Sequence, residues 1–204
     1  MSSETSPSDI ELLQAMLAGD EEALAALYRR RARDVHRFAL HMCGSPSLAE
    51  DVTQEVFLVL MREGRAFDPD KGSLPAFLIG VARNHVLRRL RRERFYVSLD
   101  ENPSNPREAR QETDTVAGPL DCLSRNETIE SVRKSILTLP ERYREVVVLC
   151  ELQELSYLEA AAILGCAVGT VRSRLHRARV LLIEKLRPVD ETEGAEVKPA
   201  RCFA

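Results

Sequence analysis

With 204 residues the chain has room for one large or two small domains. Its long stretches of Ala, Leu, Glu and Arg, few aromatics and no tryptophan favour helices over sheets. No apolar run approaches the roughly 18 residues of a membrane helix, and the N-terminus is polar and acidic, so neither membrane insertion nor export is expected. A cytoplasmic location and five reduced, widely spaced cysteines without a CxxC pair fit together. Cys43, Cys150 and Cys166 read as core fillers, Cys122 falls in the linker with no basic neighbour to make it reactive, and Cys202 falls in the tail.

Residues 1–8 form an N-terminal tail expected to be disordered. Ser8 and Glu11 make a capping box that opens a short helix, closed by Gly19. Asp20 caps a longer helix with apolar positions Leu24, Leu27, Tyr28, Val35, Phe38 and Met42, and Gly44 stops it. His36, His41 and Cys43 near its end lack further ligands at metal spacing, so no metal is expected. Ser47 and Glu50 read as a second capping box. The helix they open buries Val52, Val56, Val59 and Leu60 and turns Asp51, Gln54 and Glu55 outward. Phe57 lies either on that polar face, where it invites a partner, or sideways in the core.

The loop that follows, RAFDPDKGSLPAF, ends at Ser73, which caps a helix carrying Pro75 in its first turn. Asp68 and Asp70 suit a turn around Pro69 better than a nuclease metal site, and Lys71, Gly72 and Ser73 lack the upstream glycine of a phosphate loop. The helix buries Leu74, Phe77, Leu78, Val81 and Leu90, and Gly80 within it suggests close approach of another backbone. Its far half is basic: between residues 83 and 94 six arginines face one glutamate, net +5.

Periodicity disappears over residues 96–125, where six acids outweigh three arginines among Pro, Gly and Asn, as expected of an interdomain linker. Ile129, Val132, Ile136 and Leu139 mark the next helix, ended by Pro140; residues 141–152 form another, burying residues 146–150. Ser156 and Glu159 then cap a helix-turn-helix. Ala161 permits close crossing, Gly165 ends the first helix, and Val171 anchors the second with Leu175, Ala178 and Leu182 on one stripe. Residues 170–187 hold six cations against Glu184, again +5, so the net charge of −3 leaves −13 on everything else. Two basic helices on an acidic body fit two nucleic-acid contacts, with the acidic remainder meeting proteins. A basic helix of this kind enters a major groove; the bland alternative is a solvated face on an ordinary hairpin.

Two blocks in each half carry a resemblance. AEDVTQEVFL (residues 49–58) and GSLPAFLIGVARNHVLRRLRR (72–92) in the first half, with LPERYREVVVL (139–149) and LSYLEAAAILGCAVGTVRSRLHRAR (155–179) in the second, resemble the bacterial RNA polymerase sigma factors of the extracytoplasmic-function (ECF) group. The expected fold is all-α: two small helical domains joined by a flexible acidic linker, the second containing the helix-turn-helix. Sigma domain 2 would span residues 9–95, the linker 96–125 and sigma domain 4 residues 126–187, with a disordered tail over 188–204.

The resemblance implies that Asp51, Gln54 and Glu55 bind the β′ clamp helices of core polymerase, with the second domain on the β flap. It implies that Phe67, Asp68, Lys71, Ser73, Arg83, Asn84, Arg88 and Arg91 take the minus-ten element, a base flipping into a pocket as the duplex melts. Thr170, Arg172, Ser173, Arg174, His176 and Arg177 would read the minus-thirty-five element in duplex DNA, and an anti-sigma protein would silence the factor. Phe77 and Leu74 replace the family's usual Trp and Phe, Leu158 replaces a polar residue, and Pro69 and Lys71 make the flipped-base loop this chain's own. No catalytic residue, cofactor or metal is expected, and core polymerase and promoter DNA are the expected partners. Two other classes remain open at this point: a stand-alone dimeric helix-turn-helix regulator reading a palindrome, and a DNA-processing enzyme, which would need a carboxylate or nucleophile constellation that is missing.

Overall fold

The computed structural model describes the backbone of residues 7–99 and 120–186, with side chains over 7–92 and 128–186. Among the described residues there is helix and no strand. The tails, most of the acidic linker, Cys122, Cys202 and Arg187 lie outside the described residues or their side chains.

Helix α1 (Asp9–Leu17) starts at the Ser8–Glu11 capping box, both halves of which form. Asp20 accepts from the amides of Glu22 and Ala23 to start α2 (Glu21–Cys43), and Gly44 ends it in the left-handed conformation at φ +75°. Helix α3 (Pro46–Glu63) begins two residues before the expected start. Ser45 is the N-cap, accepting from Leu48, and Pro46 fills the first turn, where its missing N–H costs nothing. Ser47 therefore lies within the helix, its hydroxyl 3.2 Å from that of Ser45, and the expected Ser47–Glu50 box does not form. A single 3₁₀ turn (Gly64–Ala66) leads into the loop before α4 (Leu74–Leu99).

Helices α1 to α4 pack around Leu27, Val35, Phe38 and Met42 of α2, Val56 and Leu60 of α3, and Leu78 and Val86 of α4, all buried. Burying each such side chain is worth about 1.5–3 kcal/mol. Phe57 is in this core at 5 % exposure, its ring centroid 4.8 Å from that of Tyr28, so the sideways placement holds and the outward-facing aromatic does not. Its i+4 neighbour Met61 and the adjacent Leu58 are exposed in its place, and Val59 is only half-buried. Gly80 has no backbone against it: a Cβ there would meet only Ile163 Cγ1, at 3.8 Å.

The second unit contains α5 (Leu120–Leu137), α6 (Glu141–Val147), α7 (Tyr157–Leu164) and α8 (Val168–Leu186). Helical backbone thus reaches into both ends of the acidic 96–125 segment. Ile129 is exposed rather than buried; Ile136 and Leu139 are buried. The single helix expected over 141–152 changes register: α6 gives way to a π turn (Val148–Leu152), and Gln153 donates to the Val148 carbonyl five residues back. The run from Val146 to Leu149 is buried as expected, whereas Cys150 is half-buried. The two units touch through α4 with α7 and through α2 with α5 and the π turn. Their buried side chains form one continuous apolar cluster.

Candidate nucleic-acid interface

Local chemistry builds the helix-turn-helix. Ser156 and Glu159 complete a capping box, and Gly165 at φ +62° lets the Cys166 amide reach the Ala161 carbonyl and end α7. Thr170 and Val171 donate back to Ala167 as α8 begins. Ala160 and Ala161 on one helix meet Val171, Leu175 and Ala178 on the other, every one of them buried; Leu182, lower on the stripe, is half-buried. With that face inside, Arg172, Ser173, His176 and Arg177 are exposed, and Thr170 and Arg174 half-buried. The Ser173 hydroxyl turns back to donate to the Thr170 carbonyl at 3.0 Å, leaving its lone pairs outward.

Neighbours hold several of these cations. The Arg172 guanidinium carbon lies 5.8 Å from the Tyr157 ring centre, and that of Arg142 4.8 Å from the Tyr143 ring. Arg177 donates to the Tyr143 hydroxyl and lowers that phenol's pKa, with Arg142 adding to the effect. Arg142 therefore joins Arg177 on the exposed basic face from a different helix. Sequence reasoning missed it, and the tripeptide Arg142–Tyr143–Arg144 at the start of α6 was its signal. Arg179, also exposed, is paired with Glu151 of the π turn, which raises its pKa further.

In the first unit the loop 67–73 is tied across itself. Asp68 accepts from the Asp70 amide at 3.1 Å and pairs with Lys71 at 3.0 Å, and Lys71 followed by the Asp70 amide holds its carboxyl below the ordinary range. The half-buried Phe67 ring packs 5.5 Å from Phe77. An open cleft of about 840 Å³ runs between this loop and α1, lined by Phe67, Pro69, Gly72 and Ser73 on one side and by Arg30 and Arg31 on the other. Asp9 pins both arginines, at 2.9 and 2.5 Å. These two cations facing the loop also went unpredicted, because only the packing of α1 on α2 brings them there. Asn84, Arg88 and Arg91 are exposed farther along α4, while Arg83 is half-buried and paired with Glu145 at 2.7 Å.

The three residues expected to bind polymerase separate into two neighbouring surfaces. Asp51 and Glu55 face His85, Arg88, Arg89 and Arg92 across a cleft of about 200 Å³. Gln54 instead edges an apolar groove of about 540 Å³ between α2 and α3, walled by Tyr28, Phe57, Leu58 and Met61. Tyr28, Leu58 and Met61 are 44, 41 and 51 % exposed, an apolar strip rimmed by polar groups of the kind that marks a protein contact. Asp68 and Asp70 stay in their turn, and among the described residues no three His, Cys, Asp or Glu side chains are grouped to hold a metal. Burial, followed by Glu151, pushes the Cys150 thiol up to about 11, so it stays protonated and unreactive. No described helix is long and apolar enough to cross a membrane.

Comparison with known proteins matches residues 27–96 to Sigma-70 region 2 and residues 129–182 to Sigma-70 region 4. Among curated relatives, the ECF RNA polymerase sigma factor SigW of Bacillus subtilis is 30% identical over 172 residues, covering 83% of this chain and 91% of the relative. SigM of Mycobacterium tuberculosis is 34% identical over 179 residues, covering 88% and 85%. Among solved structures, the sigma factor RpoE of Bartonella quintana in complex with the anti-sigma factor NepR superposes with a TM-score of 0.67 at 26% identity, over 83% of this chain and 99% of that one. CnrH in complex with the cytosolic domain of CnrY gives 0.63 at 26% identity, over 86% and 94%.

Proposed function

The chain belongs to the extracytoplasmic-function RNA polymerase sigma factors, and from that premise we propose how its surfaces divide the work of transcription initiation. The first domain docks on the β′ clamp helices of core polymerase through the α2–α3 groove and Gln54, with Asp51 and Glu55 on the adjoining edge. A helical partner suits an elongated apolar groove with a polar rim. The second domain rests on the β flap and lays α8 in the major groove of the minus-thirty-five element. There Arg172, Arg174, His176 and Arg177 face bases and phosphates, and Thr170 and Ser173 offer hydroxyls. The minus-ten element melts against the first domain. One non-template base enters the cleft beside Phe67, Pro69 and Ser73, with Arg83, Asn84, Arg88 and Arg91 along the strand and Asp68 and Lys71 setting the loop shape.

The observation that carries this reading is the α8 surface: an arginine-rich face opposite a fully buried Val171–Leu175–Ala178 stripe, entered through a Gly165 turn. The factor does this in the cytoplasm, as a non-enzymatic subunit without a cofactor. Because RpoE was solved with the anti-sigma factor NepR, and CnrH with the cytosolic domain of a second protein, CnrY, we assign this chain an anti-sigma protein as well. The test is run-off transcription from the promoter region of the chain's own operon with core polymerase. A transcript that requires both components supports the reading. No transcript, with tight polymerase-independent binding to a palindromic duplex, replaces it with a dimeric regulator.

A further inference from the structure

Two tyrosines beside α8 each gather two arginines. Tyr157 of α7 has the Arg172 guanidinium carbon 5.8 Å from its ring centre and accepts a hydrogen bond from Arg179. Tyr143 of α6 has the Arg142 guanidinium carbon 4.8 Å from its ring centre and accepts at its hydroxyl from Arg177 and from Arg142. The two clusters differ in charge. Glu151 stands 2.5 Å from Arg179, so a carboxylate offsets one of the two cations at Tyr157. Among the described residues neither Arg142 nor Arg177 is paired with a carboxylate.

The cluster at Tyr143 is therefore preorganised and lacks an anion. Tyr143 is 8 % exposed, so the core of the second domain fixes where its hydroxyl stands. Arg142 and Arg177 are both exposed. Two such cations would otherwise swing apart into solvent; the buried phenol holds them together. A guanidinium has donors only, and a phenol oxygen that accepts from two of them has its own O–H left to donate. Two like charges and three donors thus meet with no acceptor among them. The arrangement carries repulsion in the free protein and gains from an anion brought from outside.

We infer that Arg142 is a DNA contact outside the recognition helix, taking a backbone phosphate at the edge of the minus-thirty-five element, and that Tyr143 is the positioning residue that fixes its spacing from Arg177. The inference rests on the placement of α8 in the major groove. With α8 in the groove, Arg177 enters with it. Arg142, held to the same hydroxyl from a neighbouring helix, then lies to one side of the groove, where the backbone runs. A guanine edge would supply acceptors without charge, whereas a phosphate supplies the absent acceptor and the absent charge at once. Because one phenol holds both cations, the register of the domain on the backbone and the depth of α8 in the groove are set together.

The experiment is anisotropy titration of holoenzyme onto two duplexes, one with the mapped minus-thirty-five element and one with it scrambled, across a salt series, with thermal unfolding of each variant chain as the check on folding. Arg142→Ala is expected to lower the salt slope by about 0.9, the release of one counterion, and to weaken both duplexes equally, by about eightfold at 0.1 M salt relative to 1 M. Tyr143→Phe keeps the ring and removes the hydroxyl. It is expected to weaken binding roughly two- to twelvefold, the entropy of fixing one long side chain. In a chain that already carries Arg142→Ala and Arg177→Ala it is expected to cost nothing further. An Arg142→Ala slope equal to the wild type overturns the phosphate contact. A Tyr143→Phe loss of the same size with both arginines absent, or no loss in their presence, overturns the positioning and leaves Tyr143 as a core residue. If wild-type holoenzyme does not tell the two duplexes apart, the groove placement fails and the inference falls with it. Discrimination by the wild type with an unmoved Arg142→Ala slope removes the inference alone.

Discussion

Replacing Arg177 by alanine separates promoter reading from every other property of this chain. The side chain is exposed on α8, opposite the buried stripe, and its intramolecular partner is the Tyr143 hydroxyl. Truncation therefore removes one surface hydrogen bond, worth about 1 kcal/mol or less to the fold, while the stripe stays packed. A bidentate arginine contact to a guanine edge carries about 1–3 kcal/mol of discrimination, or roughly 5- to 150-fold in affinity. The assay is anisotropy titration of holoenzyme onto duplex DNA containing the mapped minus-thirty-five element, run against a duplex with that element scrambled, over a salt series. Loss confined to the native element with an unchanged salt slope identifies a base contact. Uniform loss with the slope reduced by about one identifies a phosphate contact. Either result keeps Arg177 on the DNA. An affinity change below twofold on both duplexes, or an equal fall in core-polymerase binding, refutes the division of labour between the domains.

Leu58→Glu with Met61→Glu places two charges in the α2–α3 groove at positions already exposed, so the fold should survive while co-purification with core polymerase falls more than tenfold. Asp51→Lys with Glu55→Lys should abolish that co-purification as well. Normal assembly of either folded double variant removes its surface from the polymerase contact. Phe38→Ala empties the centre of the first domain, where Phe38 is fully buried, and should cost about 3–5 kcal/mol in denaturant unfolding; a loss under 1 kcal/mol would mean that α1 to α4 collapse around the cavity. Glu159 has its carboxyl held below its ordinary value of 4.5, first by the Ser73 hydroxyl and then, against some desolvation, by Ser156. Its folded pKa is depressed, so it contributes stability above the unfolded value that is lost as pH falls from about 4.5 through the folded value. Glu159→Gln should flatten that acid limb in a pH series of thermal unfolding, and an unchanged limb would show that the carboxyl gains nothing on folding.

Much of the architecture was legible because it is local. Ser8 with Glu11, Asp20, Ser156 with Glu159, and Gly44 and Gly165 mark helix ends through bonds spanning a few residues, and each does so in the fold. The Val171–Leu175–Ala178 spacing placed one face of α8 inside, which leaves its arginines outside by geometry alone. Ser45, not the expected Ser47, caps α3, and Pro46 between them suits the first turn of a helix that starts there.

Phe57 shows where pattern gives out. A residue at the edge of an apolar stripe can turn either way, and the Tyr28 ring, from another helix, settles it. The trio Asp51, Gln54 and Glu55 reads as one polar face along α3, yet α2 and α4 flank that helix on opposite sides and draw its members to different clefts. Arg30 and Arg31 line the cleft opposite the 67–73 loop because α1 packs on α2 and its Asp9 holds them there. The pairing of Arg83 with Glu145 spans 62 residues and two domains. What the sequence determined by itself was the helical class, the ends that carry a cap or a left-handed glycine, and the stripe at the centre of a buried face, since those depend on neighbours three to five residues away. The tertiary structure alone decided which charges meet, because a side chain's partner across an interface is set by how helices dock and not by any periodicity along the chain.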